Sequence, residues 1–391
     1  MPSQPDVRTL RIHGRDDLRL DRDPAPVAAS GEALVDVGFG GVCGSDLHYW
    51  RDGAVGNSVL RAPMILGHEV VGRVAVAATD GSGPPAGQAV AVHPARSCGH
   101  CPWCISGRAN LCPDTRYLGS AAHTPHTDGG FADRIAVPSA RLIPLPDTLD
   151  LRRASLAEPA GIAWHALDRA EAVGAPVAGA HVLVIGGGPI GLLVAAVARY
   201  RDAASVTVAD VQDHPLAVAA ALGMRAVHAR DLPDGAAPAG ANPPAGANSP
   251  AGANPAAGPH PSGPNPADHD NSKIIEAPDI VVESSGTVPG LGSAIRSARP
   301  GGTVVAVGQV PAGDIAVPAS LCVARELTLT GSLRLLEIER SVAFLADPRA
   351  LVDPIITDVF PAGRAAEAFA VAADPARSSK VLLDFSAGHA S

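Results

Sequence analysis

Cys98, Cys101, Cys104 and Cys112 follow the spacing C-x2-C-x2-C-x7-C. Such short spacings let one loop wrap a tetrahedral ion, and four thiolates suit a closed structural zinc site. An iron–sulfur cluster is the rival, because Pro113 follows the last cysteine. The ferredoxin-type gap before that cysteine is about three residues or much longer, so zinc is favoured.

A second group of metal-ligating types lies in three separate segments. Cys43 sits in G-V-C-G-S-D-L-H-Y-W, His68 in G-H-E-V-V-G, and Glu158 precedes Pro159. One thiolate, one imidazole and one carboxylate form a three-ligand zinc set with an open fourth position. The Cys and Glu charges cancel the +2 of the ion, leaving a neutral centre able to polarise an alcohol oxygen. Ser45, two residues after Cys43, is placed to reach the reacting oxygen, and His48 to pass its proton to solvent.

A third motif is Gly186-Gly187-Gly188-Pro189-Ile190-Gly191, between a buried apolar run at 181–185 and a helical pattern at 190–200. This is G-x-G-x-x-G between strand and helix, the setting in which it binds dinucleotides. Gly186 allows the tight turn, Gly188 the approach of the pyrophosphate, and Gly191 the packing of helix on strand. Pro189 and Ile190 open the helix, whose amides face the phosphates. Asp210 ends the next strand about 20 residues on, suited to the ribose hydroxyls. Val211-Gln212-Asp213 offers no arginine for a 2′-phosphate, so NAD is expected over NADP.

The elements that must position these groups change style along the chain. Short β-type runs at 33–37, 70–77, 89–93 and 134–137, broken by Gly, Pro and Asp, suit an irregular, mostly antiparallel domain. From about 179, strands (181–185, 205–210, 279–284, 303–307) alternate with helical patterns (190–200, 215–222, 291–298), implying α/β architecture with a doubly wound parallel sheet. Strand 327–331, a helix near 337–345 and strand 380–385 close the chain. The apolar stretch 177–198 contains His181 and the glycine turn, and reads better as strand, turn and helix than as a membrane span.

With 391 residues, two domains are expected and three are the upper bound. Hydrophobic residues at 46% and charged residues at 18% exclude wholesale disorder. The net charge of −9, with no basic block, argues against nucleic-acid or anionic-membrane partners. Residues 1–20 contain no apolar signal-type core. A reducing, cytoplasmic location is therefore expected, where clustered thiols favour metal over disulfide. Lysine occurs only at Lys273 and Lys380, which reads as compositional bias. Cys322 reads as a packed thiol, and His123, His126 and His165 as structural.

The phrases at Gly40 to Trp50, Pro63 to Gly72, Arg116 to Ala121, Asp128 to Phe131 and Gly331 to Arg334 resemble the zinc-dependent medium-chain alcohol/polyol dehydrogenase family. The closest likeness is to its L-idonate 5-dehydrogenases. The resemblance implies a GroES-like irregular β catalytic domain at 1–161 and 333–391, and an NAD-binding Rossmann domain at 162–332. It implies two Zn2+ per chain, one catalytic and one structural, with NAD as cofactor. Cys43, His68 and Glu158 would hold the catalytic zinc, with Glu69 as a neighbouring or exchanging ligand. The cysteine cluster would hold the structural zinc.

Tyr49 and Arg334 match polyol-contacting positions, and Arg116 and Arg334 are candidates to pair with a sugar-acid carboxylate. The implied reaction is oxidation of L-idonate to 5-keto-D-gluconate. The alternatives are a sorbitol- or xylitol-type polyol dehydrogenase and a catalytically inactive cofactor-binding relative. Relatives of this architecture are commonly homotetramers. Two departures are Gln88 in a turn where the family usually has Asp, and Leu335 where an aromatic often follows the arginine.

Residues 233–272 interrupt the pattern. The unit P-A-G-A-N starts at Pro238, Pro244 and Pro250. With almost no large apolar side chains, the segment cannot offset its ordering entropy. It is expected to be a disordered insertion where a crossover helix would otherwise run, with at most a stub near 273–276. Limited digestion with a broad-specificity protease should cut first within 233–272, as read by mass spectrometry of the fragments.

Overall fold

The computed structural model describes residues 6–232 and 277–386. The insertion expected at 233–272 and the helical stub at 273–276 lie outside the described residues.

Two sheets carry the architecture among those residues. The first runs in the order Leu142–Pro144, Ala89–Val92, Glu69–Val76, Glu32–Gly41, Lys380–Asp384 and Ile356–Pro361, with Arg134–Pro138 also pairing Glu32–Gly41. Its pairings are antiparallel except for the last two strands. Register shifts in Glu32–Gly41 against Glu69–Val76 bend the sheet. The second sheet is parallel throughout, in the order Arg225–His228, Ser205–Asp210, His181–Ile185, Ile280–Glu283, Thr303–Ala306 and Thr328–Gly331. The inner strands of this sheet are V/I/L-rich and largely buried, as helices on both faces require.

The helix Pro189–Tyr200 starts with Pro at its first turn and is buried from Gly191 to Ala198. The stretch 177–198 is thus a strand, a turn and a helix, and no helix among the described residues is long and apolar enough to cross a membrane. The other parallel strands and their helices lie within a few residues of the positions expected from sequence, except Arg225–His228, an edge strand that the sequence reading did not include.

Several elements had no clear periodic signature. The hairpin Val7–Gly14/Asp17–Asp23 is held by charged pairs, including Arg11 with Asp21 and Asp23. The helix Ala157–Glu171 packs against Pro189–Tyr200 and Glu339–Ala346, so it lies between the two sheets. One apolar cluster joins Val71 and Ala91 of the first sheet to Val182 and Val282 of the second, with Leu192 of the helix Pro189–Tyr200 between them in the same cluster. A separate cluster around Leu10, Val35, Phe131 and Phe369 fills the first lobe.

Phe131 explains why its own motif is D-G-G-F. The ring is fully buried and stacks on Phe385 with centroids 6.2 Å apart. It lies on Gly40 and Gly67, where a Cβ would fall 2.6 and 2.1 Å from ring carbons. Gly67 also needs its φ of +93°. Asp128 Oδ1 accepts from the Ile65 amide at 2.8 Å, and the Gly130 amide donates to the Gly67 carbonyl at 2.8 Å. The motif therefore clamps the segment that delivers His68. Phe131→Ala should lower the unfolding free energy by about 3–5 kcal/mol in urea titration, because the surrounding glycines cannot refill the cavity.

Candidate active site

Cys43 is the N-cap of the helix Gly44–Asp52. Asp46 makes the reciprocal capping contact, its Oδ2 accepting from the Cys43 amide at 3.0 Å. Its Oδ1 accepts from the Gly67 amide at 3.2 Å. One fully buried carboxylate thus bolts the Cys43 turn to the segment before His68. His68 and Glu69 enter at the start of the strand Glu69–Val76. The ligand atoms of Cys43, His68 and Glu69 all lie within 4.8 Å of one another. Burial opposes the charged imidazole of His68, but the nearby charges of Cys43, Asp46 and Glu158 outweigh it and hold its pKa well above the usual value.

Glu158, in the first turn of Ala157–Glu171, is buried in the same pocket but stands outside that three-residue group. Its Oε1 accepts from the Tyr117 hydroxyl at 2.6 Å. Burial raises its pKa, opposed by His68 and Tyr117. Glu69 has a different partner: Lys380 Nζ reaches both its oxygens at 2.7 Å and the Val42 carbonyl at 3.1 Å. This ion pair is buried on both sides, with side chains 2% and 0% exposed. The pocket holds one thiol and the carboxyl groups of Asp46, Glu69 and Glu158, against the single ammonium of Lys380. That donor set fits a divalent cation, because burying further anions without one is costly.

Tyr117 and Lys380 were not singled out by sequence reasoning. Tyr117 follows Arg116 on the short strand Arg116–Tyr117, so alternation turns it to the opposite side. Its ring meets His68 edge-on, with centroids 5.6 Å apart. Arg116 instead donates to the Pro125 carbonyl at 3.1 Å. The signal for Lys380 was the near absence of lysine elsewhere in the chain.

Arg334 lies with its guanidinium carbon 5.9 Å from the Tyr117 ring centroid, one ring away from Glu158. Tyr49 is buried in the first lobe, its hydroxyl accepting from the Ala121 amide at 2.9 Å. Ser45 is half-buried one residue into the helix capped by Cys43. His48 is exposed, with Nδ1 2.9 Å from Asp52 Oδ2. His126 anchors a loop, its Nε2 accepting from the amides of Arg61 and Ala62.

The four clustered cysteines come together in a separate lobe, their sulfurs within 4.8 Å of one another. Cys98 and Cys104 Sγ are 3.9 Å apart, and Cys101 and Cys104 Sγ 3.5 Å. Thiolates about 2.3 Å from a tetrahedral zinc are about 3.8 Å from each other, so the spacing fits. The Cys98 amide donates to Cys112 Sγ at 3.4 Å, and amide donation to this sulfur pulls the Cys112 thiol down to about 6.

The glycine turn leaves His181–Ile185 at the point where the order of the parallel sheet reverses, the usual ligand crevice of such sheets. Gly186 has φ +98°, and a Cβ there would meet the Ser285 amide nitrogen at 2.7 Å. At Gly191 a Cβ would fall 1.9 Å from the Gly186 carbonyl. Gly188, the helix N-cap, has nothing within 4 Å of its Cβ position and no side-chain cap. The first and third glycines are therefore packed and the second is open, as a bound pyrophosphate requires. Asp210 accepts from the Gly187 amide at 2.6 Å and the Gln212 amide at 2.8 Å, holding the next strand end against the turn. Glu283, also buried here, accepts through Oε1 from the amides of Ser285 and Gly286 and shapes the facing turn.

Residues 29–147 match the alcohol dehydrogenase GroES-like domain. The L-idonate 5-dehydrogenase (NAD(P)(+)) of Escherichia coli strain K12 is 32% identical over 355 residues, covering 90% of this chain and 91% of that protein. The chain belongs to the zinc-dependent medium-chain dehydrogenase family. It is an oxidoreductase of the alcohol/polyol dehydrogenase type within that zinc-dependent, NAD(P)-using group. Sorbitol dehydrogenase of Bacillus subtilis strain 168 is 35% identical over 222 residues, covering 57% of this chain and 60% of that one. The crystal structure of L-idonate 5-dehydrogenase from Escherichia coli K-12 superposes with TM-score 0.80 at 30% identity, covering 97% of this chain and 98% of that chain. The GroES-like domain and the parallel Rossmann sheet are those of this family.

The buried ion pair makes its own prediction. Lys380→Met leaves Glu69 as an uncompensated buried charge and should cost about 3–5 kcal/mol in chemical denaturation. Adding Glu69→Gln should recover most of that loss, since the stranded charge is then gone.

Proposed function

We propose that this dehydrogenase oxidises the C5 hydroxyl of L-idonate to 5-keto-D-gluconate, reversibly, with NAD and two zinc ions. The observation that carries the substrate class is Arg334, stacked over Tyr117 beside Glu158. A guanidinium one ring away from the reacting centre is suited to the carboxylate of a sugar acid. The Escherichia coli relative supports the same reading. A polyol substrate such as sorbitol or xylitol is the second reading, favoured by the Bacillus sorbitol dehydrogenase likeness.

Cys43, His68 and Glu158 are proposed to hold the catalytic zinc, and the four clustered cysteines the structural one. Lys380 engages both oxygens of Glu69, which favours Glu158 as the carboxylate ligand and leaves Glu69 as an exchanging neighbour. When bound, the ion supplies Lewis acidity and NAD accepts the hydride. The chain's own residues manage the proton. Ser45 Oγ accepts the proton of the substrate hydroxyl as it passes its own to His48, three residues on along the same helix face, and His48 releases a proton to water. The Asp52 contact occupies His48 Nδ1 and leaves Nε2 as the exchanging nitrogen. Asp210 supports NAD over NADP, since a 2′-phosphate would meet its carboxylate and the run Val211-Gln212-Asp213 that follows it holds no arginine. The strand membership of the two sheets supports domains at 1–161 with 333–391 and at 162–332.

The deciding experiment is a panel of L-idonate, sorbitol, xylitol, L-threonine and, in reverse, 5-ketogluconate. L-Idonate should have the highest kcat/KM; a higher value for sorbitol or xylitol establishes the polyol reading instead. Cys43→Ser should cut turnover by about a thousandfold or more, the worth of several kcal/mol of charge stabilisation. NADH binding by fluorescence should persist, and elemental analysis should fall from two zinc per chain towards one.

A further inference from the structure

Arg334 has a backbone φ of +57°, in the left-handed region that a non-glycine side chain adopts at a cost. Such a conformation persists where its surroundings over-determine it. Here the surroundings include one side chain from a different lobe. Asn110 lies in the short turn Ala109–Leu111, two residues before Cys112, and is 7% exposed. Its Nδ2 donates to the Leu333 carbonyl at 3.0 Å. Its backbone carbonyl accepts from Arg334 Nη1 at 3.2 Å. The residue thus grips the peptide before Arg334 and the guanidinium at its far end.

The grip is itself oriented. The Leu333 carbonyl can only accept, so Nδ2 faces it and the second Nδ2 hydrogen is left for His165 Nε2, 3.2 Å away. His165 must then accept through Nε2, as a neutral ring does, and burial lowers its pKa in agreement. His165 lies on Ala157–Glu171, the helix that also carries Glu158. The turn of the cysteine lobe, the helix of the metal pocket and the arginine loop after Thr328–Gly331 meet at one amide.

We propose that Asn110 is a positioning residue for substrate selectivity, holding Arg334 over Tyr117 so that its guanidinium meets the carboxylate of a sugar acid. The proposal rests on the sugar-acid reading above. It gives the cysteine lobe a role in the substrate pocket in addition to metal binding: its fold sets where Asn110 stands.

The test is steady-state kinetics of the zinc-loaded enzyme with NAD, using L-idonate and xylitol, for Asn110→Ala, Arg334→Ala and the double variant. Asn110→Ala should raise the KM for L-idonate about tenfold more than that for xylitol, as expected for one misplaced charge-assisted contact. In the Arg334→Ala background it should add no further discrimination, because the group it positions is gone. Zinc content should stay at the wild-type value.

A parallel rise in both KM values, an additive effect in the double variant or loss of zinc would each overturn the proposal, since a merely structural residue behaves in those ways. Should Asn110→Ala fail to fold, His165→Leu removes one of the two acceptors that orient the amide. It should show the same selectivity at about two- to threefold, and equal effects on the two substrates would refute the idea. If Arg334→Ala itself fails to discriminate between the substrates, the sugar-acid reading falls and this inference with it. If Arg334→Ala discriminates and Asn110→Ala does not, only the inference falls.

Discussion

Burying several acids in one small volume is the constraint from which the rest of this molecule follows. Cys43 and Asp46 from one helix turn, Glu69 from a strand and Glu158 from another helix share a pocket with the ammonium of Lys380. Each needs a partner, because an unpaired buried charge is far costlier than an exposed one. Asp46 finds two backbone amides, Glu69 finds lysine and Glu158 finds a phenol. What they still lack in positive charge is what a divalent cation brings. The first sheet brings Lys380 beside the residues it must neutralise, since Lys380–Asp384 pairs directly with Glu32–Gly41 and that strand with Glu69–Val76.

The second lobe answers a different requirement. A dinucleotide needs a phosphate-binding turn where strand order reverses, and the packed first and third glycines leave only the middle one open. The helix Ala157–Glu171 couples the two requirements. Its first turn delivers Glu158 to the pocket of Cys43 and His68, while its body packs on the helix that follows the glycine turn. One apolar cluster spans both sheets, so apolar packing is continuous across this junction.

Much of this was legible in the residues. The strands around the glycine turn were readable because buried parallel strands are continuous V/I/L runs with a turn signal after them. The cysteine cluster was readable because its four thiols are close in sequence and one loop can bring their sulfurs together. The hairpin Val7–Gly14/Asp17–Asp23 was not, because its apolar alternation is only two residues long on each strand, Leu10 and Ile12 facing Leu20 and Leu18, and is set among charged side chains. The helix Ala157–Glu171 has several alanines and a Pro in its first turn, and its buried positions reflect neighbours on several sides more than one clean stripe.

The sequence alone determined the donor types: a closed four-thiolate set, a Cys–His–carboxylate group and a glycine turn with an acid after the next strand. These are local chemical facts, written in spacing. Only the tertiary structure decided which carboxylate stands where. Glu69 and Glu158 are equivalent as text, yet lysine grips one and tyrosine the other. It also turned Tyr117, not its neighbour Arg116, towards the pocket, and set Arg334 within reach of a buried asparagine. The reason is physical: a carboxylate's role depends on the groups that meet it across the fold, and those contacts come from segments 41 residues away for Glu158 and 311 for Glu69.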